Sequence, residues 1–357
     1  MQQLAYLISN LNDGGQERQL FYLLNELQKL KQYKIILFVW NLDDSDKYYK
    51  PLKNAGIEII GFENKTNFLL KISSIRKYLK ERKPVVLQSY TFYLNFFCWL
   101  STLNFNTKPI GGLRSSILKE YEINKINVYL NIFFPKIIVS NNYASQDELK
   151  KIKGFRKKKL YIIHNRLDSS SFSTKSTIVD NPIITCSIGR LDQNKRVDKI
   201  IDLVETLNQK GYKLIHKHAG EGVLKDHLID VVKKRGLEKQ IMFLGKVADI
   251  NSFLKTSSFL IHTSATEGMP NVVLEAMASS LAILSTDCGD VSYLVKENKN
   301  GFVIPIDDFD SLVSKTKYLM DNPSLLISMG KLSRKIIENS FDIAGLSQET
   351  IKLYKNL

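Results

Sequence analysis

The feature that most constrains this chain is an alternation of short apolar runs, rich in β-branched residues, with longer segments of helical periodicity. This alternation is typical of a parallel sheet covered by helices. The first half of the chain predicts seven strands: Leu4–Ile8, Lys34–Val39, Ile57–Ile60, Val85–Gln88, Pro109–Gly111, Lys136–Val139 and Leu160–Ile163. The second half predicts five more: Ile183–Ile188, Lys213–His218, Gln240–Phe243, Phe259–His262 and Ala282–Ser285. The predicted fold class is α/β, with two domains in tandem and a cleft between them.

A polar, serine-rich segment that runs into Pro182 separates the two series of strands. Such composition is typical of a linker. We therefore predict a first domain over residues 1–166, a linker over 167–181 and a second domain over 182–338. Residues 339–357 are predicted to form a C-terminal helix that packs back on the first domain. The 357 residues suffice for two domains of ordinary size.

Cysteine usage and the N-terminal segment bear on location. The three cysteines, Cys98, Cys186 and Cys288, lie far apart and form no C-x-x-C pair, so a reducing compartment is the simplest interpretation. The first residues lack the basic region and the small-residue cleavage site of a signal peptide, and are interpreted as a buried strand. We expect a cytoplasmic protein.

Charge is distributed unevenly along the chain. Residues 1–170 carry 27 Lys and Arg against 14 Asp and Glu, whereas the remaining residues carry 24 against 22. Such asymmetry indicates a polyanion or an anionic membrane surface as a partner, or a lysine-rich solvated face. The uncharged stretch 84–107 is too polar for a membrane span. We interpret it as a strand and an apolar helix over roughly Phe92–Leu103, which either packs in the core or dips into a bilayer surface.

Chemistry is expected in the loops after the strands, because open α/β sheets bind ligands at the carboxyl ends of their strands. The first such loop contains Gly14 and Gly15 and leads into an amphipathic helix. The glycines allow a ligand to approach the backbone, and the helix N-terminus offers amides to an anion. A tight turn without a ligand explains the same residues equally well.

The loop after the first strand of the second domain carries two cations. Arg190 directly follows that strand and Lys195 lies five residues further on. A guanidinium and an ammonium that converge on one strand end suit a diphosphate, whereas either cation alone would more often be a surface residue.

The sharpest motif follows the predicted strand Phe259–His262. It contains two acids, Glu267 and Glu275, around Pro270, which we place at the first position of a helix. The backbone amides of Met269, Asn271, Val272 and Val273 are expected to face a bound anion there. Pro270, which has no N–H, contributes only its position. A carboxylate beside a bound phosphate is unfavourable unless it has a specific role, so we expect Glu267 to reach into the cleft and Glu275 to lie along the helix.

Glu267 and Glu275 resemble the E-x7-E motif of glycosyltransferase family 4, which comprises retaining nucleotide-sugar transferases of the GT-B fold. Other segments resemble that family in the expected order: Gly14-Gly15-x-Glu17-Arg18, Ile163 to Asp168, Ser187 to Leu191 with Lys195, Gly220-Glu221-Gly222 and Phe243-Leu244-Gly245. The resemblance covers most of the chain. It implies two Rossmann-like domains that face each other across a cleft.

The resemblance also implies roles for the residues. Glu267 would contact hydroxyls of the transferred sugar, while Arg190 and Lys195 would neutralise the leaving diphosphate. Glu275 would hold the ribose, and the remaining donor contacts would come from Gly15, Gly245, Val247 and residues 269–273. Acceptor or phosphate contacts would come from Gly14, Glu17, Arg18, Arg114 and Asn165. Retention is attributed in the family to front-face attack, so neither a metal nor another cofactor is expected, in agreement with the lack of a D-x-D motif.

Three positions depart from the family pattern. Arg114 stands where the family often has a histidine; it cannot act as a base at neutral pH, so it would bind phosphate or sugar. Arg166 replaces the hinge glycine, and Asp290 lies in a changed glycine segment. The five histidines form no i, i+4 pair, and His216 and His218 alternate along one predicted strand, where we expect them in the core.

The predicted function is retaining transfer of a sugar, most simply from a UDP-sugar, to a saccharide acceptor that is lipid-linked. The pathway would be assembly of bacterial surface polysaccharide, such as capsule, O-antigen or exopolysaccharide, by an enzyme peripheral on the inner face of the plasma membrane. Two alternatives are a sugar-nucleotide epimerase of the same fold and a non-catalytic basic protein that binds membranes or nucleic acid. We expect no nucleic-acid partner, because aromatic residues are not interleaved with the basic runs and no base-reading motif occurs.

Overall fold

The computed structural model of the chain describes residues 1–117, 125–152, 158–174 and 182–357. Its contacts divide the chain into two units, residues 1–166 with 343–357 and residues 167–342. The first residues of the predicted linker, 167–174, therefore group with the second unit, while 175–181 lie outside the described residues. The reason is local, because the Leu167 amide donates to the Phe341 carbonyl at 3.1 Å and the Ser169 hydroxyl donates to Asp342 at 2.5 Å.

The first unit contains a parallel sheet whose strands are arranged in the order β3-β2-β1-β4-β5-β6-β7. The strands are β1 Gln2–Ile8, β2 Tyr33–Val39, β3 Glu58–Gly61, β4 Val86–Ser89, β5 Lys108–Leu113, β6 Ile137–Ser140 and β7 Lys159–Ile162. Strand β1 is almost entirely buried and pairs with both β2 and β4, so the chain reverses the direction in which it adds strands beside β1. This order is that of the doubly wound fold.

The described helices of the first unit cover this sheet. They are α1 Gly15–Lys29, α2 Tyr49–Asn54, α3 Phe68–Arg82, α4 Asn95–Thr102, α5 Lys125–Phe133 and α6 Tyr143–Lys150, with a 3-10 turn at Phe92–Leu94. Helix α1 forms because leucines recur at helical spacing, and Leu20, Leu23, Leu24 and Leu27 are all buried in the core beside β1 and β2. The segment Phe92–Leu103, predicted as one helix, is instead a 3-10 turn followed by the shorter helix α4.

The second unit repeats this architecture with a parallel sheet in the order β10-β9-β8-β11-β12-β13. Its strands are β8 Ile183–Ile188, β9 Leu214–Ala219, β10 Ile241–Phe243, β11 Phe259–His262, β12 Ala282–Thr286 and β13 Gly301–Ile304. Strand β13, the sixth, is absent from the sequence prediction. It pairs with β12 from Ile283↔Gly301 to Thr286↔Ile304.

Helices of the second unit follow its strands in turn. They are α7 Val197–Gln209, α8 Lys225–Lys234, α9 Ile250–Lys255, α10 Asn271–Ala278, α11 Val291–Leu294, α12 Phe309–Asp321 and α13 Pro323–Ile336, with a π-helix at Ile337–Phe341. The last helix, α14 Ala344–Lys355, belongs to the first unit, where Leu346 and Leu353 join the core formed by α1. In the described part of the chain, no helix has both the length and the hydropathy that crossing a membrane requires.

Candidate active site

The two strands that flank the switch point of the second sheet bring Lys195 and Glu267 together. Strands β8 and β11 lie side by side, with Thr185 opposite Phe259 and Cys186 opposite Leu260. Their connections leave towards opposite edges of the sheet, which opens a crevice at the carboxyl ends of these two strands. Lys195 lies in the loop after β8 and Glu267 in the loop after β11.

Lys195 and Glu267 form an ion pair between Nζ and Oε1. Only 18% of the Lys195 side chain and 17% of the Glu267 side chain is exposed, so water screens this pair far less than it screens a surface pair. The two loops are also bonded to each other. The Asn194 side chain donates to the Thr266 carbonyl at 2.9 Å, and the Ala265 amide donates to the Asn194 carbonyl at 2.8 Å. Hydrogen bonds between the two loops thus hold the ion pair in place, in addition to the attraction between its charges.

His262, the last residue of β11, lies beside the pair. Its Nε2 is 3.5 Å from Glu267 Oε1 and 3.0 Å from Ser264 Oγ, and its Nδ1 is 2.9 Å from Ser285 Oγ. The Ser285 hydroxyl also lies 2.9 Å from the Thr286 carbonyl. Both ring nitrogens are engaged, and the imidazole is fixed.

The surroundings keep Glu267 ionised. Burial acts to raise the pKa of Glu267, but the hydrogen bond from His262 and the Lys195 ammonium outweigh it and hold this pKa well below its usual range. Burial lowers the pKa of His262, and the Glu267 carboxylate offsets this only in part. At neutral pH the site therefore presents a carboxylate, an ammonium and a neutral imidazole. A carboxylate in this state accepts hydrogen bonds from hydroxyl groups and does not supply a proton.

Gly289 allows the loop after β12 to pack against the Glu267 loop. Its φ is +58°, and an added Cβ would overlap the Gly268 carbonyl oxygen and lie 2.6 Å from that of Glu267. The Asp290 amide donates to the Gly268 carbonyl at 2.9 Å. The Glu267 loop, which follows β11, is therefore supported by the loops after β8 and β12.

The loops after β8, β9 and β10 also meet through glycines. An added Cβ on Gly220 would overlap the Gly189 carbonyl oxygen, and one on Gly245 would lie 2.6 Å from Glu221 Oε1. The Gly220 amide donates to the Gly245 carbonyl at 2.8 Å. Gly245 is buried and Val247, two residues on, is half-buried, in the region where the family resemblance implies donor contacts.

The helix that carries Glu275 begins one residue later than predicted. Pro270 is the N-cap, with extended backbone (ψ 113°), and Asn271 is the first helical residue. The Val273 amide donates to the Pro270 carbonyl at 3.2 Å, which engages one of the amides expected to face an anion. Met269, Pro270 and Val273 are buried, while Asn271 and Val272 are half-buried. Glu275 lies on a wholly buried part of the helix and is itself buried.

The structure does not bring Arg190 together with Lys195. The Arg190 side chain is 79% exposed, and its guanidinium lies 3.3 Å from Asp192 of the same loop. Lys195 contacts Glu267 instead. The expected pair of converging cations is thus one buried cation and one exposed cation.

In the first unit, the glycine loop after β1 holds a carboxylate of its own. Gly14 is the N-cap of α1, Gly15 is its exposed first residue, and the Arg18 amide donates to the Gly14 carbonyl at 3.1 Å. The buried Glu17 side chain folds back so that an added Cβ on Gly14 would overlap Glu17 Oε2. Burial raises the pKa of Glu17, and a hydrogen bond from Gln16 at 3.0 Å opposes the rise. A carboxylate in this position is stabilised by the helix dipole.

Arg114 and Asn165 meet at the carboxyl ends of β5 and β7. Arg114 stacks on the Tyr90 ring at 3.8 Å from its centroid, and one guanidinium nitrogen lies 3.4 Å from Asn165 Oδ1. Asn141 donates to the same oxygen at 3.1 Å. The Nε of Arg114 is buried without a hydrogen-bond partner among the described residues. Arg114 and Asn165 therefore form one polar cluster, whereas Glu17 and Arg18 belong to the α1 N-terminus.

Sequence reasoning missed His262. It considered histidines as metal ligands and found no suitable pair, although a polar residue at the carboxyl end of a buried strand was a usable signal. The prediction that His216 and His218 lie in the core is confirmed, since both are buried and bonded through Ser187 Oγ, at 2.8 and 2.7 Å.

Comparisons with known proteins show which proteins the chain is similar to. Residues 168–342 match the sequence model of a family described as Glycosyl transferases group 1. A Campylobacter jejuni protein named GalNAc-alpha-(1->4)-GalNAc-alpha-(1->3)-diNAcBac-PP-undecaprenol alpha-1,4-N-acetyl-D-galactosaminyltransferase is 25% identical over 99% of this chain and 98% of its own length. The capsular polysaccharide biosynthesis glycosyltransferase CapH of Staphylococcus aureus is 23% identical over 99% of both chains. The structure of Anabaena HepE in complex with UDP superposes with a TM-score of 0.85 at 17% identity, over 100% of both chains.

Two doubly wound units of this kind, with these relatives, define a glycosyltransferase of the GT-B class. The match to the group 1 glycosyl transferases covers the second unit of the chain. The predicted class of GT-B glycosyltransferases and the predicted α/β fold class are thereby confirmed. The matches favour transfer over the epimerase and over the non-catalytic protein considered as alternatives.

Proposed function

We propose that this chain is a retaining transferase that moves a sugar from a UDP-sugar to a lipid-linked saccharide during assembly of a bacterial surface polysaccharide. The observation that carries the proposal is the ionised Glu267, held by Lys195 beside His262 at the switch point of the second sheet. Ligands of doubly wound sheets bind at such a point.

The residues of the site suit the separate parts of a nucleotide sugar. Glu267, ionised and acceptor-only, suits sugar hydroxyls, since these are donors. Lys195 supplies positive charge where the leaving diphosphate develops negative charge, and Arg190 is exposed enough to reach a phosphate. We assign the ribose to Glu275 and the base to the region of Gly245 and Val247. We also propose that no metal is needed, with these cations stabilising the leaving group.

The acceptor and the stereochemistry are proposed from the relatives. The Campylobacter relative, matched over nearly the whole of both chains, is named for an acceptor linked to diphospho-undecaprenol and for an α-linked product. The common UDP-hexoses carry their sugar in α linkage, so an α-linked product requires retention. The CapH relative is named for capsular polysaccharide. We therefore propose a lipid-linked saccharide as acceptor, and a cytoplasmic enzyme that works at the membrane where such lipids reside.

Binding and transfer test the proposal in sequence. Thermal unfolding is measured with UDP, GDP and ADP and their common sugars, because a ligand at 100 times its dissociation constant adds about 2.7 kcal/mol to stability. The stabilising sugar nucleotide is then incubated with polyprenyl-diphosphate saccharides, with product detected by mass spectrometry and its anomeric configuration determined by NMR. Glu267→Gln should still bind UDP but lose transfer. A product of inverted configuration, or transfer unaffected by Glu267→Gln, would overturn the proposal.

A further inference from the structure

The start of helix α3 exposes three large apolar residues in a row. Phe68, Leu69 and Leu70 are 49%, 60% and 64% exposed, and they form the first turn of the helix, which we call the apolar turn. Runs of consecutive exposed apolar residues are disfavoured in soluble proteins unless they serve a contact. The sequence left open whether the following apolar segment, Phe92–Leu103, packs in the core or dips into a bilayer surface, and its Phe92, Leu94 and Cys98 are buried.

The apolar turn is held outward by fixed neighbours. Asn67 caps α3 by accepting from the Leu69 amide, at 2.8 Å. Lys71 follows the turn with a buried side chain that donates to the Trp40 carbonyl at 2.5 Å and to Asn41 Oδ1 at 2.9 Å. One turn further along, Arg76 donates to three carbonyls at the end of α4, at 2.9–3.2 Å. The exposure of the apolar turn is therefore built into the packing of α3.

A chain of aromatic rings continues from the apolar turn. Phe68 lies 5.9 Å from Phe97, between ring centroids, and Phe97 stacks on Trp40 at 4.9 Å. The rings then extend through Phe96 to Trp99, which lies 4.3 Å from Phe134 of the segment after α5. Aromatic rings of this kind are favoured at the interface between lipid and water.

Cations lie on the same exposed face of α3. The exposed residues Leu70, Ser73, Lys77 and Lys80 are spaced by three, four and three positions, so they form one stripe along the helix. The helix carries five Lys and Arg against one Glu, although Glu63 and Lys65 both precede the turn. The surface thus joins an apolar end to a basic stripe, within a half of the chain that carries a large positive excess.

We propose that the apolar turn and the Lys77–Lys80 stripe are a docking surface for an anionic phospholipid bilayer. The leucines enter the acyl boundary and the lysines meet lipid phosphates, which is how basic amphipathic helices bind membranes. A second copy of the chain is a poorer occupant, since a symmetric contact around this turn brings the two basic stripes near each other. The inference deepens the proposed function, on which it rests for the lipid-linked acceptor.

The test measures vesicle binding without any need for activity. Flotation is measured with vesicles of phosphatidylcholine alone and of phosphatidylcholine with phosphatidylglycerol, at low and at high salt. Wild-type protein should float only with the anionic vesicles and should dissociate in high salt. The double variant Leu69→Ser with Leu70→Ser should bind at least tenfold more weakly, as should Lys77→Gln with Lys80→Gln. Val223→Ser, at a residue of the second unit that is 90% exposed, is the matched control and should bind as wild type.

Tryptophan fluorescence identifies the face that binds. The chain has two tryptophans, Trp40 and Trp99, and both belong to the half-buried aromatic chain beside the apolar turn. Brominated lipids in the anionic vesicles should quench their emission. Flotation without quenching, or undiminished flotation of the leucine variant, would overturn the proposal, as would a change from dimer to monomer as the sole effect of that variant. Nucleotide-dependent thermal stabilisation, measured without vesicles, tests the proposed function separately and should be unchanged in every variant.

Discussion

His262 Nε2 lies 3.5 Å from Glu267 Oε1, at the end of the strand that leads into the Glu267 loop. The imidazole is held by a serine hydroxyl at each nitrogen, Ser264 on one side and Ser285 on the other. The imidazole is therefore fixed beside the Glu267 carboxylate, while the Lys195 ammonium supplies the opposite charge. Through His262 of β11 and Ser285 of β12, both strands contribute to the surroundings of Glu267, the side chain that we assign to the transferred sugar.

Replacing His262 tests whether the fixed imidazole matters for transfer. His262→Leu keeps the volume but removes both hydrogen-bonding nitrogens, so we expect kcat to fall about tenfold, the equivalent of about 1.4 kcal/mol. His262→Gln retains polar atoms and should recover part of the loss. Steady-state kinetics with donor varied should show the change in kcat and only a small change in KM. Equal kinetics for wild type and His262→Leu would show that Glu267 is positioned without the imidazole.

Lys195→Met should be more damaging. It removes the cation assigned to the leaving diphosphate and leaves Glu267 with one fewer stabilising neighbour, so transfer should fall by roughly 10²- to 10³-fold. Lys199→Met is a matched control, because Lys199 is a partly exposed lysine of the next helix that lies 3.4 Å from Asp202. It should retain near-normal turnover, measured as UDP release with acceptor present. Similar losses in the two variants would mean that general positive charge, and not Lys195, is what counts.

Gly289→Ala tests the support beneath Glu267. An alanine must adopt the φ of +58° and must also displace the Gly268 and Glu267 carbonyls, so stability should fall by more than the roughly 1–2 kcal/mol of backbone strain alone. Activity should fall with it, since the displaced carbonyls belong to the loop that carries Glu267.

Gly211→Ala provides the comparison for Gly289→Ala. Gly211 has a φ of +83° with nothing within 4 Å of an added Cβ, so it carries the strain without the overlap. Chemical denaturation and turnover are measured for both variants. Gly289→Ala with full activity would show that the loop tolerates displacement.

Acid should destabilise the second unit through His216 and His218. Burial lowers the pKa of His216 to about 3 and that of His218 to about 4, so both stay neutral in the folded state while the unfolded chain takes up protons below about pH 6.5. Stability is therefore fully present above pH 6.5 and falls as pH drops towards 4, by up to about 1.4 kcal/mol per pH unit for each histidine.

Urea denaturation between pH 7.5 and 4.5 measures this dependence. A His216→Gln with His218→Gln variant removes the titrating groups, so its stability should depend less steeply on pH, whatever its stability at neutral pH. An unchanged slope would assign the acid sensitivity to other groups.

Periodic apolar spacing made much of the fold predictable. Val197–Gln209 is one of the segments of helical periodicity between the strands, and it forms a helix whose apolar residues all reach one core. Strand β13 was not predicted, because it begins with Gly301 and follows a polar turn, so little in the sequence indicates a strand there. Pro270 was placed one position too far into its helix, since proline is compatible with both positions.

The candidate site was predictable in its residues but not in its pairings. Lys195 and Glu267 are 72 residues apart, and only the adjacency of β8 and β11 makes them partners. Arg190 was expected beside Lys195 because both follow the same strand, yet local geometry turns it to Asp192. The roles assigned to Lys195 and Glu267 stay predictions that the variants above address, and the roles assigned to Arg190, Glu275, Gly245 and Val247 also stay predictions.

Helix α14 has a consequence for how the chain reaches its final state. It supplies Leu346 and Leu353 to the core of the first unit, and its Tyr354 hydroxyl bonds to Tyr6 and to Gln88, although more than 250 residues separate it from these partners. The second unit is continuous, so all of its residues have been synthesised before α14 emerges from the ribosome. Because domains fold as their residues become available, the second unit can fold before the first unit receives α14. The half of the protein that is made first is therefore the half that finishes folding last, and its exposed core must be protected until then.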